Sequence, residues 1–152
     1  MPLNHARKMM ELALAEARMA ADAGEVPVGA IVARNGIIIA RAHNSPRAMH
    51  DPTAHAEMLA IRKAAEALGD DRLTGCELWV TLEPCAMCAG AIAHARIARV
   101  HYAAEDPKGG AVVHGPKLFS QITIHHRPEI SSGIGAEESI ALLKKFFASR
   151  RG

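Results

Sequence analysis

Apolar positions along the chain change their spacing from block to block, and the blocks predict alternating helices and strands. From Asn4 to Ala23, the residues Met10, Ala13, Leu14, Ala17 and Ala21 recur on one helical face. Lys8, Glu11, Arg18 and Asp22 take the opposite face, and Gly24 ends the helix. Val26 to Ala33 and Ile37 to Ala42 are apolar, β-branched runs joined by Asn35-Gly36, the dipeptide of a two-residue type I′ turn. Their near-continuous hydrophobicity predicts a sheet covered on both faces. Asp51-Pro52-Thr53 opens a second helix that runs to about Leu68, with Met58, Ile61, Ala65 and Leu68 as its core stripe and Gly69 as its stop. Glu77 to Leu82 reads as a strand, Pro84 starts a helix from Cys85 to about Ala95, and Ile97 to Ala103 reads as another strand. A Gly/Pro-rich loop follows from Asp106 to about Pro116. The tail from Glu137 to Arg151 is a helix whose Glu137 and Glu138 lie in the first turn and Lys144 and Lys145 later, as the helix dipole favours. Helices interleaved with strands predict a three-layer α/β architecture.

Size adds one constraint. A chain of 152 residues without repeats or a linker is expected to form one domain over residues 1–152. Such a domain buries roughly 68–70% of its unfolded surface and needs no disulfide to fold. With two of the three cysteines in one Cys-x-x-Cys, Cys76 has no partner left for a structural disulfide. That favours a reducing, cytoplasmic setting and makes Cys76 a small hydrophobe at the start of a strand. Arg7 and Lys8 are followed by Glu11 and Glu16 rather than by an apolar run, so the start does not read as a signal peptide, and no membrane span is expected. The net charge of +2 and pI of 8.6 are too mild to indicate a nucleic-acid partner by themselves.

The chemistry concentrates in His55-Ala56-Glu57 and Pro84-Cys85-Ala86-Met87-Cys88. One His and two Cys make three metal ligands. Structural zinc sites almost always use four, whereas three leave a position for water, the arrangement of a catalytic zinc. Cys85 and Cys88 share a face in the first turn of a helix, where exposed N–H groups favour the thiolate. A thioredoxin-type redox pair is the other reading of Cys-x-x-Cys, but it leaves His55 and Glu57 unexplained. Glu57 is the residue type that moves protons on and off a water, and it is not expected to ligate the metal. Positions i and i+2 of a regular helix do not face each other. Convergence of His55 and Glu57 therefore requires His55 in the first turn, with Asp51 or Thr53 near the cap.

The spacing H-x-E…P-C-x-x-C is similar to that of the zinc deaminases of nucleobases. More of the chain resembles the tRNA-specific adenosine deaminase family: Glu25 to Ala30, His50 to Glu57, Thr81 to Ala91 and Asp106 to Ala111. The His50-to-Glu57 segment is shared with guanine and cytosine deaminases, so discrimination rests on the other three. The resemblance implies a cytidine deaminase-like α/β/α fold around a central mixed sheet of about five strands. It implies one Zn2+ per subunit held by His55, Cys85 and Cys88, with Glu57 as the proton shuttle. It further implies conversion of adenosine to inosine at the wobble position of a tRNA anticodon stem-loop, by a homodimer. Asn44 and the Ala54 backbone N–H then correspond to contacts with the target base, and Asp106 to a residue near its ribose. Asn44 before Ser45-Pro46, and Asp106 before Pro107-Lys108-Gly109-Gly110, also read as turn residues.

Two basic groups are candidate RNA contacts. One is the C-terminal helix, where Lys144, Arg150 and Arg151 suit phosphates and Phe147 suits stacking on an unpaired base. Phe147 also lies on the Ile140/Leu143 stripe, which predicts a core position. The other is Lys117 with His125, His126 and Arg127. Two rival readings keep parts of this picture. A free-base deaminase acting on guanine or cytosine keeps the metal site without the RNA surface. A zinc-bound RNA-binding module without turnover has no use for Glu57.

Overall fold

The computed structural model describes residues 3–151, with side chains through Arg150. Five strands form one sheet in the order β2-β1-β3-β4-β5. They are β1 (Gly29–Arg34), β2 (Ile37–His43), β3 (Cys76–Leu82), β4 (Arg99–Ala104) and β5 (Glu129–Ser132). β1 pairs antiparallel with β2 and β3, whereas β3–β4 and β4–β5 are parallel, so the sheet is mixed. Helices α1 (Leu3–Asp22) and α5 (Ala136–Arg151) cover one face, and α3 (Ala56–Leu68) and α4 (Ala86–Ala95) the other. The short α2 (Pro46–Met49) follows β2. The expected three-layer α/β/α arrangement is therefore present.

Local chemistry explains most elements. Asn35 and Gly36 both adopt positive φ, 53° and 78°, as a type I′ turn requires. Gly69, φ 64°, caps α3 in the left-handed conformation. At Gly29 the sheet approaches α1 so closely that a Cβ would lie 2.6 Å from the Ala17 backbone nitrogen. Met9, Met10, Ala13, Leu14 and Trp79 form the core under α1; Leu78, Val80, Ile92, Val100 and Tyr102 belong to the larger core under α3 and α4.

Several boundaries differ from the sequence expectation. β1 begins at Gly29 rather than Val26, because Pro27 has no N–H to donate and the chain turns there through Val28 N–H to Val26 O, 2.8 Å. Helix α3 starts at Ala56 rather than Asp51; Asp51 instead closes a turn by accepting from the Thr53 N–H and hydroxyl. The residues of α3 packed deepest are Ala56, Glu57, Ala60 and Ala64, while Met58, Ile61, Ala65 and Leu68 lie half-buried on the flank. Small side chains let the helix axis sit close to the sheet. Coverage of both faces holds for β1, β3 and β4 but not for β2, an edge strand whose Ile37 is 67% exposed. β5, all of it exposed, has no apolar alternation and was not legible as a strand. Cys76 is buried at the start of β3, as expected.

Candidate metal centre

Two helix N-termini meet at the end of the sheet where β3 finishes. His55 is the N-cap of α3 and Cys85 the N-cap of α4, both with extended backbone (φ −72°, ψ 154° and φ −75°, ψ 176°). Each cap carbonyl accepts the first helical bond, Leu59 N–H to His55 O at 3.0 Å and Ala89 N–H to Cys85 O at 2.8 Å. His55 thus precedes the helix rather than lying in its first turn. That resolves the i, i+2 difficulty: extended backbone at His55 frees its ring from helical spacing, while Glu57 lies inside the first turn.

His55 Nδ1 lies 3.7 Å from Cys85 Sγ and 3.6 Å from Cys88 Sγ, and the ligand atoms of all three residues fall within 4.8 Å of one another. Tetrahedral zinc with Zn–S of about 2.3 Å and Zn–N of about 2.0 Å places S and N roughly 3.5 Å apart. The spacing therefore fits such an ion. The electrostatics fit as well. Hydrogen bonding from the Cys88 thiol, helped by His55, holds the Cys85 thiol down to about 4. The same contact with Cys85, reinforced by burial, pushes Cys88 up, because a second thiolate beside the first is unfavourable without a cation. The hydrogen bond to Cys85 also raises His55. Glu57 is sealed beside this group, and burial pushes its carboxyl up to about 7.

The remaining predicted residues divide into two sets. Asn44 is buried, and its Oδ1 accepts the Ala56 N–H at 2.7 Å, so it ties β2 to the start of α3. Ala54 is buried in the same loop; its N–H is donated to Asp51 O at 3.1 Å and its carbonyl accepts the Ser45 N–H at 3.0 Å. Asp106 closes its own turn, Oδ1 accepting from Lys108 and Gly109 at 3.2 and 3.0 Å. A hollow of about 340 Å³ joins Asn44 to the C-terminal helix through Pro46, Arg47, Phe146, Phe147 and Arg150. Arg150 donates to Gly24 O at 3.0 Å and stacks 4.7 Å over the Phe146 ring. Phe147 is 45% exposed and Ile140 41%, so the core position expected for that stripe is not taken. Lys144 is exposed on the same helix, and the side chain of Arg151 lies outside the described residues.

Lys117 and Arg127 do not line this hollow. Lys117 is exposed at the start of a 3-10 turn, Leu118–Ser120. Arg127 pins that turn by donating to Phe119 O at 2.8 Å and Gln121 O at 2.9 Å, while the His126 ring bonds Ile97 O at 2.6 Å. Sequence reasoning gave no role to Glu83, two residues before Cys85, whose side chain is wholly enclosed. Burial alone would raise its carboxyl, but N–H groups of Asp106, His114, Val113 and Val112 outweigh that and hold it low. The one signal available was an acid placed directly before Pro84-Cys85.

Comparison with known proteins agrees with this geometry. The MafB19-like deaminase family matches residues 3–151. The tRNA-specific adenosine deaminase of Agrobacterium fabrum is 54% identical over 142 residues, 93% of each chain. A solved structure from work on A-to-I editing by tRNA:A34 deaminases at the wobble position of transfer RNA superposes with a TM-score of 0.88 at 54% identity, covering 90% of this chain and 99% of that one. Guanine deaminase from Bacillus subtilis gives a TM-score of 0.65 at 31% identity, covering 100% of this chain and 96% of that one.

Proposed function

The chain belongs to the tRNA-specific adenosine deaminase family, and from that membership we propose that it converts adenosine to inosine at the wobble position of a tRNA anticodon. The reaction consumes one water and releases one ammonia. The observation that carries the proposal is the convergence of His55, Cys85 and Cys88 beside the buried Glu57 carboxyl. His55, Cys85 and Cys88 would hold one Zn2+, whose chemistry there is to acidify water at neutral pH.

Glu57 handles the protons. With its carboxyl near 7, both protonation states are populated at neutral pH, which suits a group that must take a proton and return it. It accepts one proton from the attacking water and delivers it to the purine ring nitrogen, then takes the remaining hydroxyl proton and delivers it to the leaving amine. Asn44 is fixed with its carboxamide oxygen on Ala56, which leaves the amide nitrogen on the other limb to donate to the base. Asp106, in the loop after β4, serves as the ribose contact; the Ala54 N–H is already donated to Asp51 O at 3.1 Å, so its contact with the base would share that donor. Lys144, Phe147 and Arg150 on α5 provide the phosphate and stacking contacts for the anticodon loop, and Lys117 and Arg127 a second basic surface.

The subunit acts as a single domain and as a homodimer. Exposed Met87, Val113 and Ile122 support an apolar contact between copies. Three free cysteines support a cytoplasmic setting. Among the described residues no helix is long and apolar enough to cross a membrane. The test is inosine formation from an anticodon stem-loop bearing wobble adenosine, with free guanine, cytosine and adenosine run alongside. Inosine from the stem-loop alone is expected. Ammonia from free guanine, with the stem-loop untouched, would move the chain to the branch of the 31%-identical guanine deaminase.

A further inference from the structure

Glu83 ends the β3 connection two residues before Cys85, and its side chain has no exposed surface. A carboxylate taken wholly out of water requires compensating donors. No Lys or Arg is paired with it among the described residues; five N–H donors from one loop supply the compensation. Oε1 accepts from the Asp106 N–H at 3.0 Å and from the His114 ring at 2.8 Å. Oε2 accepts from the backbone N–H groups of Val112, Val113 and His114 at 3.0, 3.0 and 3.3 Å. Four of the five donors are main-chain groups lying 23 to 31 residues further along.

The segment between β4 and the 3-10 turn has no helix or strand of its own. Its path is set by this carboxylate together with Ala111 N–H to Pro84 O, 2.9 Å, and Gly110 N–H to Asp106 O, 2.8 Å. The fit is close: a Cβ on Gly110 would stand 2.5 Å from Glu83 Oε2. One end of the clamped segment is Asp106, and the other end leads to Lys117.

We propose that Glu83 is a positioning residue for the reaction: its buried carboxylate gathers the 106–114 loop and holds Asp106 at a fixed place against the β3–α4 connection that leads into Cys85. The clamp itself follows from the hydrogen bonds; its bearing on catalysis rests on the deaminase reading above. Cys85 is anchored separately, through the first turn of α4. Loosening the loop should therefore weaken substrate binding and leave the metal in place.

Two variants of the full, zinc-loaded chain test this. Glu83→Gln retains one oxygen but turns an NH2 toward amide donors. Gly110→Ala leaves Glu83 intact and pushes the loop off it, so the idea stays testable if the first variant folds poorly. Three quantities are read: hydrogen exchange of the 106–114 amides, bound zinc, and kcat and KM on the stem-loop. Loss of hydrogen bonds to a charged group predicts amide exchange faster by roughly 10-fold or more, and a KM raised by a similar factor. Bound zinc should be unchanged and kcat should stay within about 3-fold, because neither the ligands nor Glu57 moves.

A purely structural role for Glu83 would lower stability without raising KM, and that result overturns the proposal. So would zinc loss, a fall in kcat at constant KM, or unaltered exchange of the loop. If wild-type protein makes no inosine, the deaminase reading falls and the catalytic role of the loop with it; the exchange data still decide whether Glu83 holds the loop.

Discussion

Asn44 is assigned two jobs, one to each limb of its carboxamide, and a pair of substitutions separates them. The Ala56 N–H can only donate, so the atom facing it at 2.7 Å is Oδ1. Ala56 is fully buried, and water cannot replace the lost acceptor in Asn44→Ala. Leaving a buried donor unsatisfied costs about 1–3 kcal/mol. For a chain of this length each kcal/mol shifts Tm by about 2–4 °C, so Asn44→Ala should melt roughly 2–12 °C below wild type. Asn44→Asp keeps an acceptor against Ala56 and places a negative charge at the N-terminus of α3, which the helix dipole favours. It should unfold within about 1 kcal/mol of wild type, but it has no N–H to give to the base. Removing a hydrogen bond made to the reacting base lowers kcat/KM by roughly 10- to 100-fold. Urea unfolding monitored by circular dichroism, with kcat/KM for inosine formation measured on the same preparations, reads both effects. A fully active Asn44→Asp would refute the base contact. An Asn44→Ala as stable as wild type would refute the structural contact.

Other consequences follow from the site and the packing. Glu57→Gln should retain zinc and lose turnover by roughly 10²- to 10⁴-fold; loss of zinc in that variant, measured by elemental analysis, would mean Glu57 is a ligand after all. In chelator-treated protein the Glu57 carboxyl binds its proton more tightly folded, about 7, than at its ordinary value of 4.5. Wild type should therefore lose about 3 kcal/mol of stability relative to Glu57→Gln as pH rises from below 4.5 to above 7, and parallel pH–stability curves would contradict the burial argument. Chelation should lower Tm of wild type and abolish turnover, and added zinc should restore both, because the ion binds the folded arrangement of His55, Cys85 and Cys88. Gly29→Ala would drive a methyl into the α1 backbone and should cost about 3 kcal/mol or more; near-native urea stability would show that α1 can move off the sheet.

Legibility in the chain tracked how local each cause was. The amphipathic α1, the Asn35-Gly36 turn, the Gly69 stop and the start of α4 were readable because each depends on residues within one or two turns of one another. The metal donor set was readable for a related reason. Cys85 and Cys88 sit in one helical turn, and the type of ligand, not its neighbours, carries the chemistry.

Features that depend on distant parts of the chain were not readable. β5 carries no apolar alternation, and it is a strand because β4 presents a free parallel edge to it. The line of alanines in α3 is buried because the sheet lies beneath it, although Met58 and Ile61 are the bulkier apolar residues. Phe147 falls on an apolar stripe, yet α5 leaves it exposed beside the hollow at Asn44. Glu83 looks like an ordinary acid in the chain and becomes the centre of five donors through a loop that returns over it. Turn chemistry and hydrophobic period are written in neighbouring residues. Burial, strand pairing and the partners of an enclosed charge arise when segments tens of residues apart are folded together.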